Sequence, residues 1–315
     1  MTEAVWIVGH GLLGSRIHSL TRTNVPQADV FLGPRFSWDD RRTVRSQCAS
    51  AVASFGQRAK QAGRYRIFWT AGRGVMSSTA EQLQKETDNL KTFLGALDAD
   101  ENLRHATGVF GYSSSAGGVY AGSLDDVITE ASAVSPGSAY GTGKLEHEEL
   151  VKSFASPSRG ILIARLASLY GPGQSRTKSQ GLLTHVARCM LTRKPIHIYV
   201  PFDTMRDYLH VVDAATDFVN TSTLVNSNDV VTKIIASEEP ATIAMIIGLF
   251  RRIARSQPLV VTGTNDLGAA YPHRMRLSSC VLTKARGTHR IALPQGIAET
   301  LAHERLAYAT GGMPG

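Results

Sequence analysis

The sequence predicts an α/β protein with a doubly wound parallel sheet in residues 1–172 and a small C-terminal lobe in residues 173–315. Three observations lead there. Short apolar runs alternate with segments of helical period through the first half of the chain. The first run leads through Gly9-His10-Gly11-Leu12-Leu13-Gly14 into a helical segment. Beyond about residue 172 the alternation loosens without a linker, repeat or low-complexity stretch, so the second part is expected to close over the first and to return some strands and helices to it.

Ala4-Val5-Trp6-Ile7-Val8 is continuously apolar, as a strand buried on both faces requires, and Ser15 to Arg22 reads as the helix after it. Asp29 to Leu32 is a second strand. A helix is expected over 40–62, where Val44, Cys48, Val52 and Phe55 fall near helical spacing. Arg66 to Trp69 is a strand and Ser78 to Leu97 a helix. Val109 to Tyr112 is a strand that runs into a Ser/Gly-rich turn. Tyr140 to Phe154 reads as helix and Ile161 to Ala164 as strand. In the second part, Lys178 to Thr192 and Asp213 to Thr223 read as helices. Ile196 to Val200, Tyr208 to Val211, Val230 to Ala236 and Leu259 to Val261 read as extended.

Composition narrows the function classes. Of 315 residues, 43% are hydrophobic and 19% charged, enough to bury a core. No apolar run approaches the roughly 18 residues a membrane span needs, and Met1-Thr2-Glu3 does not open a secretory signal. Cys48, Cys189 and Cys280 lie far apart with no C-x-x-C spacing, and the histidines are scattered. No disulfide framework or metal site is therefore expected, and the cysteine usage suits a reducing cytoplasm. The net charge of +8, with Arg far outnumbering Lys, favours an anionic partner such as a phosphorylated metabolite. No dense basic run carries interleaved aromatics, so nucleic acid is not expected.

The glycine turn carries the first chemistry. Gly9-x-Gly11-x-x-Gly14 between a strand and a helix allows a tight turn, a close backbone approach to a pyrophosphate and close helix–strand packing. The helix N-terminus adds unpaired N–H groups at Leu12, Leu13 and Gly14, and His10 is expected to pack or to contact phosphate. A carboxylate at the end of the second strand would bind the ribose 2′-OH of NAD. Gly33-Pro34-Arg35 stands there instead, and Arg35 suits a 2′-phosphate, so NADP is slightly favoured over NAD.

Tyr140 and Lys144 lie one helical turn apart, on one face. Ser113-Ser114-Ser115 ends a strand upstream of them. With the glycine turn, this set resembles the short-chain dehydrogenase/reductase superfamily, and in detail its extended branch, the NAD-dependent epimerase/dehydratase family. Four stretches strengthen the resemblance. Thr70-Ala71-Gly72, placed after the fourth strand, is similar to the family's turn beside the cofactor ribose. Ser114-Ser115-Ala116-Gly117-Gly118-Val119-Tyr120 resembles its serine strand. Arg165-Leu166-Ala167-Ser168-Leu169-Tyr170-Gly171-Pro172-Gly173 resembles its Arg…Tyr-Gly-Pro-Gly segment. Arg206-Asp207-Tyr208-Leu209-His210-Val211-Val212-Asp213 resembles its Arg-Asp-Tyr-x-x-Val-x-Asp segment.

The resemblance implies a Rossmann-type domain with a C-terminal substrate lobe, a nucleotide-sugar substrate and a homodimer. It implies Tyr140 as acid/base, Lys144 as its charge partner and ribose ligand, and Ser115 as partner of the substrate oxygen, with Ser114 the alternative. A phenol titrates near pH ~10, so a neighbouring ammonium is what would bring it into working range. Ser168 is implied next to the substrate. The guanidinium fork of Arg206 matches the oxygens of a substrate diphosphate, and Arg274 and Arg276, by their position late in the chain, are candidates for a second phosphate contact.

Three positions depart from the family pattern. Val8 stands at the first position of the family's Gly-x-x-Gly-x-x-Gly. Ser115-Ala116-Gly117 replaces the Thr-Asp-Glu of dehydratases, which argues against water elimination. Ser168 stands where Asn is common. The expected activity is an epimerase that recycles its cofactor or an NADPH-dependent ketoreductase, with a non-catalytic NADP-binding protein as the remote alternative.

Overall fold

The computed structural model describes residues 2–24, 27–175, 181–263 and 272–311. The main sheet is built from β1 (Glu3–Val8), β2 (Ala28–Phe31), β3 (Arg64–Trp69), β4 (Thr107–Ser115), β5 (Arg159–Leu166) and β9 (Val230–Ile235). All pairings are parallel, in the order β2-β1-β3-β4-β5-β9. The chain order reverses between β1 and β3, so a crevice opens there at the C-terminal ends of the strands, where doubly wound sheets bind ligands.

Helices cover both faces. On one side α1 (Leu12–Asn24) and α8 (Val211–Ser222) pack on Val5, Ile7 and Phe68. On the other, α2 (Arg41–Ala62), α3 (Ala80–Ala99) and α6 (Ala139–Lys152) enclose Trp6, Trp69, Phe93, Phe110 and Tyr112. With both faces covered, five of the six β1 residues are buried, which is why that strand reads as one apolar run. Local chemistry sets the helix ends. Asp40 caps α2 through the amides of Arg42 and Thr43, and Gly63 ends it at φ 72°. Thr79 and Gln82 form a capping box that starts α3. The short helices α4 (Glu101–His105) and α5 (Ala116–Val119) flank β4.

The smaller elements are β6 (Ser168–Tyr170), α7 (Leu182–Thr192), β7 (Ile196–Ile198), β8 (Met205–His210), β10 (Pro240–Thr242), α9 (Ile243–Ala254), β11 (Val260–Thr262) and α10 (Leu293–Ala309). They form a β10-β8-β6 sheet, a β11-β7 ribbon and a third core containing Val186, Ile246, Phe250 and Ile297. Among the described residues no helix is long and apolar enough to cross a membrane.

Two expectations need correction. The Thr70 turn follows the third strand, not a fourth, because α2 crosses directly from β2 to β3 and the sheet ends at β2. The helices α9 and α10 were not expected. Ile243–Ala254 buries Ile243, Ile246 and Phe250 on one face behind a Thr242 cap, a helical signal that went unread, and α10 starts with Pro294 in its first turn but no capping side chain. Of the helix expected from Lys178, the residues 178–180 lie outside the described residues, and α7 begins after Gly181.

Phe93 is fully buried against Trp6, Trp69 and Phe36. Phe93→Ala is expected to lower unfolding stability by about 3–5 kcal/mol in a urea titration. Leu306→Ala, at a residue 66% exposed, should change it by less than about 0.5 kcal/mol.

Candidate active site

The glycine turn is locked to the Thr70 turn. Gly9 has φ 96°, and a Cβ there would lie 2.6 Å from the Ala71 Cα and 2.8 Å from the Thr70 carbonyl carbon. The Thr70 hydroxyl donates to the Gly9 carbonyl at 2.5 Å, and the Thr70 amide donates to the Val8 carbonyl at 2.8 Å. A Cβ on Gly14 would strike both the Gly9 carbonyl and the Thr70 hydroxyl. These two glycines are therefore required by close approach of backbone to backbone. Gly11 differs: a Cβ there would meet nothing within 4 Å, and the residue is exposed. The first-turn amides of α1, at Leu12, Leu13 and Gly14, have no intrahelical acceptors. This cradle of tight turn, open glycine and helix N-terminus fits the pyrophosphate of a dinucleotide.

Across the crevice, α6 starts at the Ser138 cap and presents Tyr140 and Lys144 on one face. Gly74, in the turn after β3, sits between α3 and the Tyr140 ring, its Cβ position 3.2 Å from Glu86 Oε2 and 3.4 Å from Tyr140 Cδ2. Glu86 accepts the amides of Arg73 and Gly74 and thereby ties that turn to α3. From the other side, a Cβ on Gly118 would lie 3.0 Å from Tyr140 Cε1, so Gly118 allows the ring to lie against α5. The Gly118 amide donates to Ser115 Oγ at 3.2 Å. Ser115, Tyr140 and Lys144 thus converge at the C-terminal end of β4.

Ser114 points the other way. It is buried, and its hydroxyl donates to Glu148 Oε1 at 2.6 Å, which removes it from the group facing the crevice. Glu148 also forms a two-pronged pair with Arg165, Nη2 to Oε2 at 2.6 Å and Nε to Oε1 at 3.0 Å. Arg165 reaches on to the Tyr120 hydroxyl.

The Lys144 ammonium donates to Tyr112 Oη at 3.2 Å and to the Ser113 carbonyl at 3.4 Å, and lies 5.8 Å from the Tyr140 ring centre. Burial works against its charge. The oxygens of Tyr112 and Tyr140 and the Glu86 carboxylate outweigh burial and hold the ammonium above its usual range. The Tyr112 phenol is fully buried, and burial raises it well above the ordinary tyrosine value despite Lys144. Neither Glu86 nor Tyr112 was expected from the sequence. Tyr112, three residues before Ser115, carried a positional signal that went unread, while Glu86 is brought in only by the packing of α3 on α6.

The remaining candidates lie around this centre. His10 is exposed and stacks edge-on with His18, ring centres 5.6 Å apart. Arg35 is exposed, and its guanidinium has no partner among the described residues. Gly72, at φ 150°, continues the Thr70–Ala71 turn. Ser168 is exposed on β6, paired in register with Tyr208. Arg206 is half-buried on β8, with Nη1 on the Met205 carbonyl at 2.7 Å. The neighbouring Asp207 carboxylate accepts the amides of Ser237 and Glu238. Arg274 is bridged in parallel to Met205, which brings its backbone next to that of Arg206. Arg276 instead reaches Asp126 at 3.4 Å, so it is not grouped with Arg206. Among the described residues, no cluster of His, Cys, Asp and Glu could hold a metal ion.

The curated dTDP-L-rhamnose 4-epimerase of Burkholderia thailandensis is 34% identical over 88 residues, which is 27% of this chain and 24% of that protein. The chain thus matches about a quarter of that relative's length. Among solved structures, MoeE5 in complex with UDP-glucose and NAD superposes with a TM-score of 0.78 at 18% identity, covering 97% of this chain and 99% of that one. UDP-glucose 4-epimerase of Thermotoga maritima, with UDP-glucose, gives 0.77 at 16% identity, covering 98% and 100%. RMD from Pseudomonas aeruginosa, complexed with NADPH, gives 0.77 at 19% identity, covering 96% and 100%. These likenesses show the fold. The family model described as the NAD dependent epimerase/dehydratase family matches residues 70–230, from the Thr70 turn through Tyr140 and Lys144 to the start of β9. More than half of the chain lies within that match, and the chain belongs to the NAD dependent epimerase/dehydratase family.

Proposed function

We propose that this protein interconverts a hydroxyl and a ketone on a nucleotide-linked sugar, with Tyr140 as acid/base, Lys144 as its charge partner and Ser115 as hydrogen-bond partner of the reacting oxygen. The observation that carries this reading is the convergence of the three side chains around Gly118, directly across the Gly74 turn from the glycine cradle. Gly9, Gly11, Gly14, Thr70, Ala71 and Gly72 would hold the cofactor, with Lys144 on its ribose. Bound there, NAD or NADP would supply the hydride acceptor and donor. The chain's own residues handle the proton. Tyr140 takes it from the sugar hydroxyl during oxidation and returns it to the oxygen during reduction. The Lys144 ammonium stabilises the phenolate from which Tyr140 starts and to which it returns, and between the two steps Tyr140 is the neutral phenol. Ser115 Oγ accepts the Gly118 amide, which fixes its position and leaves its own O–H to donate to the substrate oxygen. Arg206, with Arg274 beside it, is suited to a diphosphate. The UDP-glucose complexes of MoeE5 and the Thermotoga maritima epimerase support a substrate of that class.

Recycling of a retained cofactor, as in an epimerase, is the reading we favour. A specific observation supports the ketoreductase as a second reading: no carboxylate ends β2, and Arg35 stands there with its guanidinium exposed. Denaturing the purified protein and identifying released nucleotides separates the two. Near-stoichiometric NAD+ or NADP+ supports the epimerase, and reversible NADPH binding to an empty site supports the reductase. No affinity for either nucleotide overturns the proposal.

Tyr140→Phe is expected to lower turnover of a nucleotide sugar by about 10²–10⁴-fold while leaving nucleotide binding intact in equilibrium dialysis. Undiminished turnover would remove Tyr140 from its role. Arg35→Ala should weaken NADPH binding about tenfold, which is roughly 1.4 kcal/mol, and leave NADH binding unchanged. Equal losses for the two nucleotides would mean that Arg35 does not read the 2′-phosphate.

A further inference from the structure

Behind Lys144 lies a buried hydrogen-bond chain that the proposed chemistry does not use. Tyr112 Oη is 2.9 Å from His147 Nδ1, and His147 Nε2 is 2.8 Å from Thr87 Oγ1. Thr87 Oγ1 in turn donates to the Leu83 carbonyl at 3.1 Å. All three side chains are buried.

The Lys144 end sets the order. The ammonium can only donate, so the Tyr112 oxygen accepts from it, and His147 Nδ1 is the acceptor within reach of the Tyr112 hydroxyl hydrogen. With Nδ1 accepting, the neutral imidazole carries its hydrogen on Nε2 and donates it to Thr87 Oγ1. Thr87 then keeps its own hydrogen for the Leu83 carbonyl. A protonated His147 would donate from both nitrogens and break this order. Burial, reinforced by the charges of Lys144 and Lys91, pushes the imidazole down to about 3, so it stays neutral through the working range. A chain that ends on a backbone carbonyl has nowhere to deliver a proton. Its effect is to orient.

We infer that Tyr112, His147 and Thr87 are positioning residues that hold the Lys144 ammonium beside Tyr140 and thereby set the pH at which the Tyr140 phenol ionises. The inference rests on the roles proposed above for Tyr140 and Lys144. Two donors of the ammonium are committed to Tyr112 and the Ser113 carbonyl, and the third has no hydrogen-bond partner among the described residues. Two phenols border this one ammonium, the fully buried Tyr112, which burial keeps protonated, and the half-buried Tyr140, to which the acid/base role is given above. The other charged groups around the chain are Glu86 and Lys91 from α3 and Glu148 of α6, the last neutralised by Arg165 of β5. None of them makes a hydrogen bond to Tyr112, His147 or Thr87 among the described residues.

The test is an ultraviolet phenolate titration of the full chain, with the Tyr140 signal isolated by subtracting the same protein carrying Tyr140→Phe. It requires no substrate. Tyr112→Phe keeps the buried ring and is expected to move the Tyr140 midpoint up by about one pH unit, a tenfold change in proton affinity. His147→Gln, which reaches Thr87 but offers no acceptor at the Nδ1 position, should move it in the same direction. His147→Asn, whose amide oxygen can replace Nδ1, should restore the midpoint towards that of the unsubstituted protein. The His147 pair keeps the test decisive if Tyr112→Phe does not fold. An unmoved or lowered midpoint in folded Tyr112→Phe overturns the inference, as does identical behaviour of the Asn and Gln variants. A depressed Tyr140 midpoint that ignores these substitutions leaves the acid/base proposal standing. A Tyr140 midpoint at the ordinary value of about 10 in the unsubstituted protein removes both.

Discussion

The buried pair between Glu148 and Arg165 is the contact on which the candidate site depends. It joins the inner face of α6 to β5, takes the Ser114 hydroxyl of β4 into the same carboxylate and ends on the Tyr120 hydroxyl beside α5. Every element that contributes a side chain to the convergence at Gly118 is tied to it. Removing one partner of such a pair would strand a buried charge, at a cost of about 3–5 kcal/mol. The pair therefore constrains geometry more than it adds stability. It fixes the rotation of α6 about its axis, and with it the one face that Tyr140, Lys144 and His147 share, with Tyr140 at the crevice end and His147 buried further along the helix.

Glycine sets the other constraint. At Gly9 and Gly14, atoms of the facing turns stand where a side chain would begin, and at Gly118 the Tyr140 ring stands 3.0 Å from that point. Two turns and one aromatic ring are thereby brought within contact of each other across the mouth of the sheet. Gly11 stands in open space among these tight positions, and the cradle is defined by that contrast.

Much of this was legible in the sequence. The parallel sheet, the glycine turn and the Tyr140–Lys144 face follow from periodicity and spacing, because both strand burial and helix registry write themselves along the chain. Ser114 and Ser115 were harder to separate. They are neighbours on a strand and point to opposite faces, and only the register of β4 decides which one faces the crevice. His147 lies one turn beyond Lys144 on the same helix, yet its role depends on Thr87 of α3, and a contact between distant elements leaves no periodic trace. The helix α9 left a readable one-face pattern in Ile243, Ile246 and Phe250, while α10 was hidden by the lack of a capping side chain.

The order of the main sheet has a consequence for how the chain is made. Strand β9 closes the sheet against β5, but the segment between them, 167–229, builds most of β6 to β8 with α7 and α8 first. As the chain leaves the ribosome, the N-terminal five strands are complete while the outer edge of β5 is bare, with its backbone donors and acceptors exposed. Until residue 235 has emerged the sheet ends on β5, every residue of which is buried in the finished fold, and afterwards it ends on the partly exposed β9. The synthesis of this protein thus has a vulnerable interval, and its length is set by translation speed through those residues rather than by any property of the finished fold.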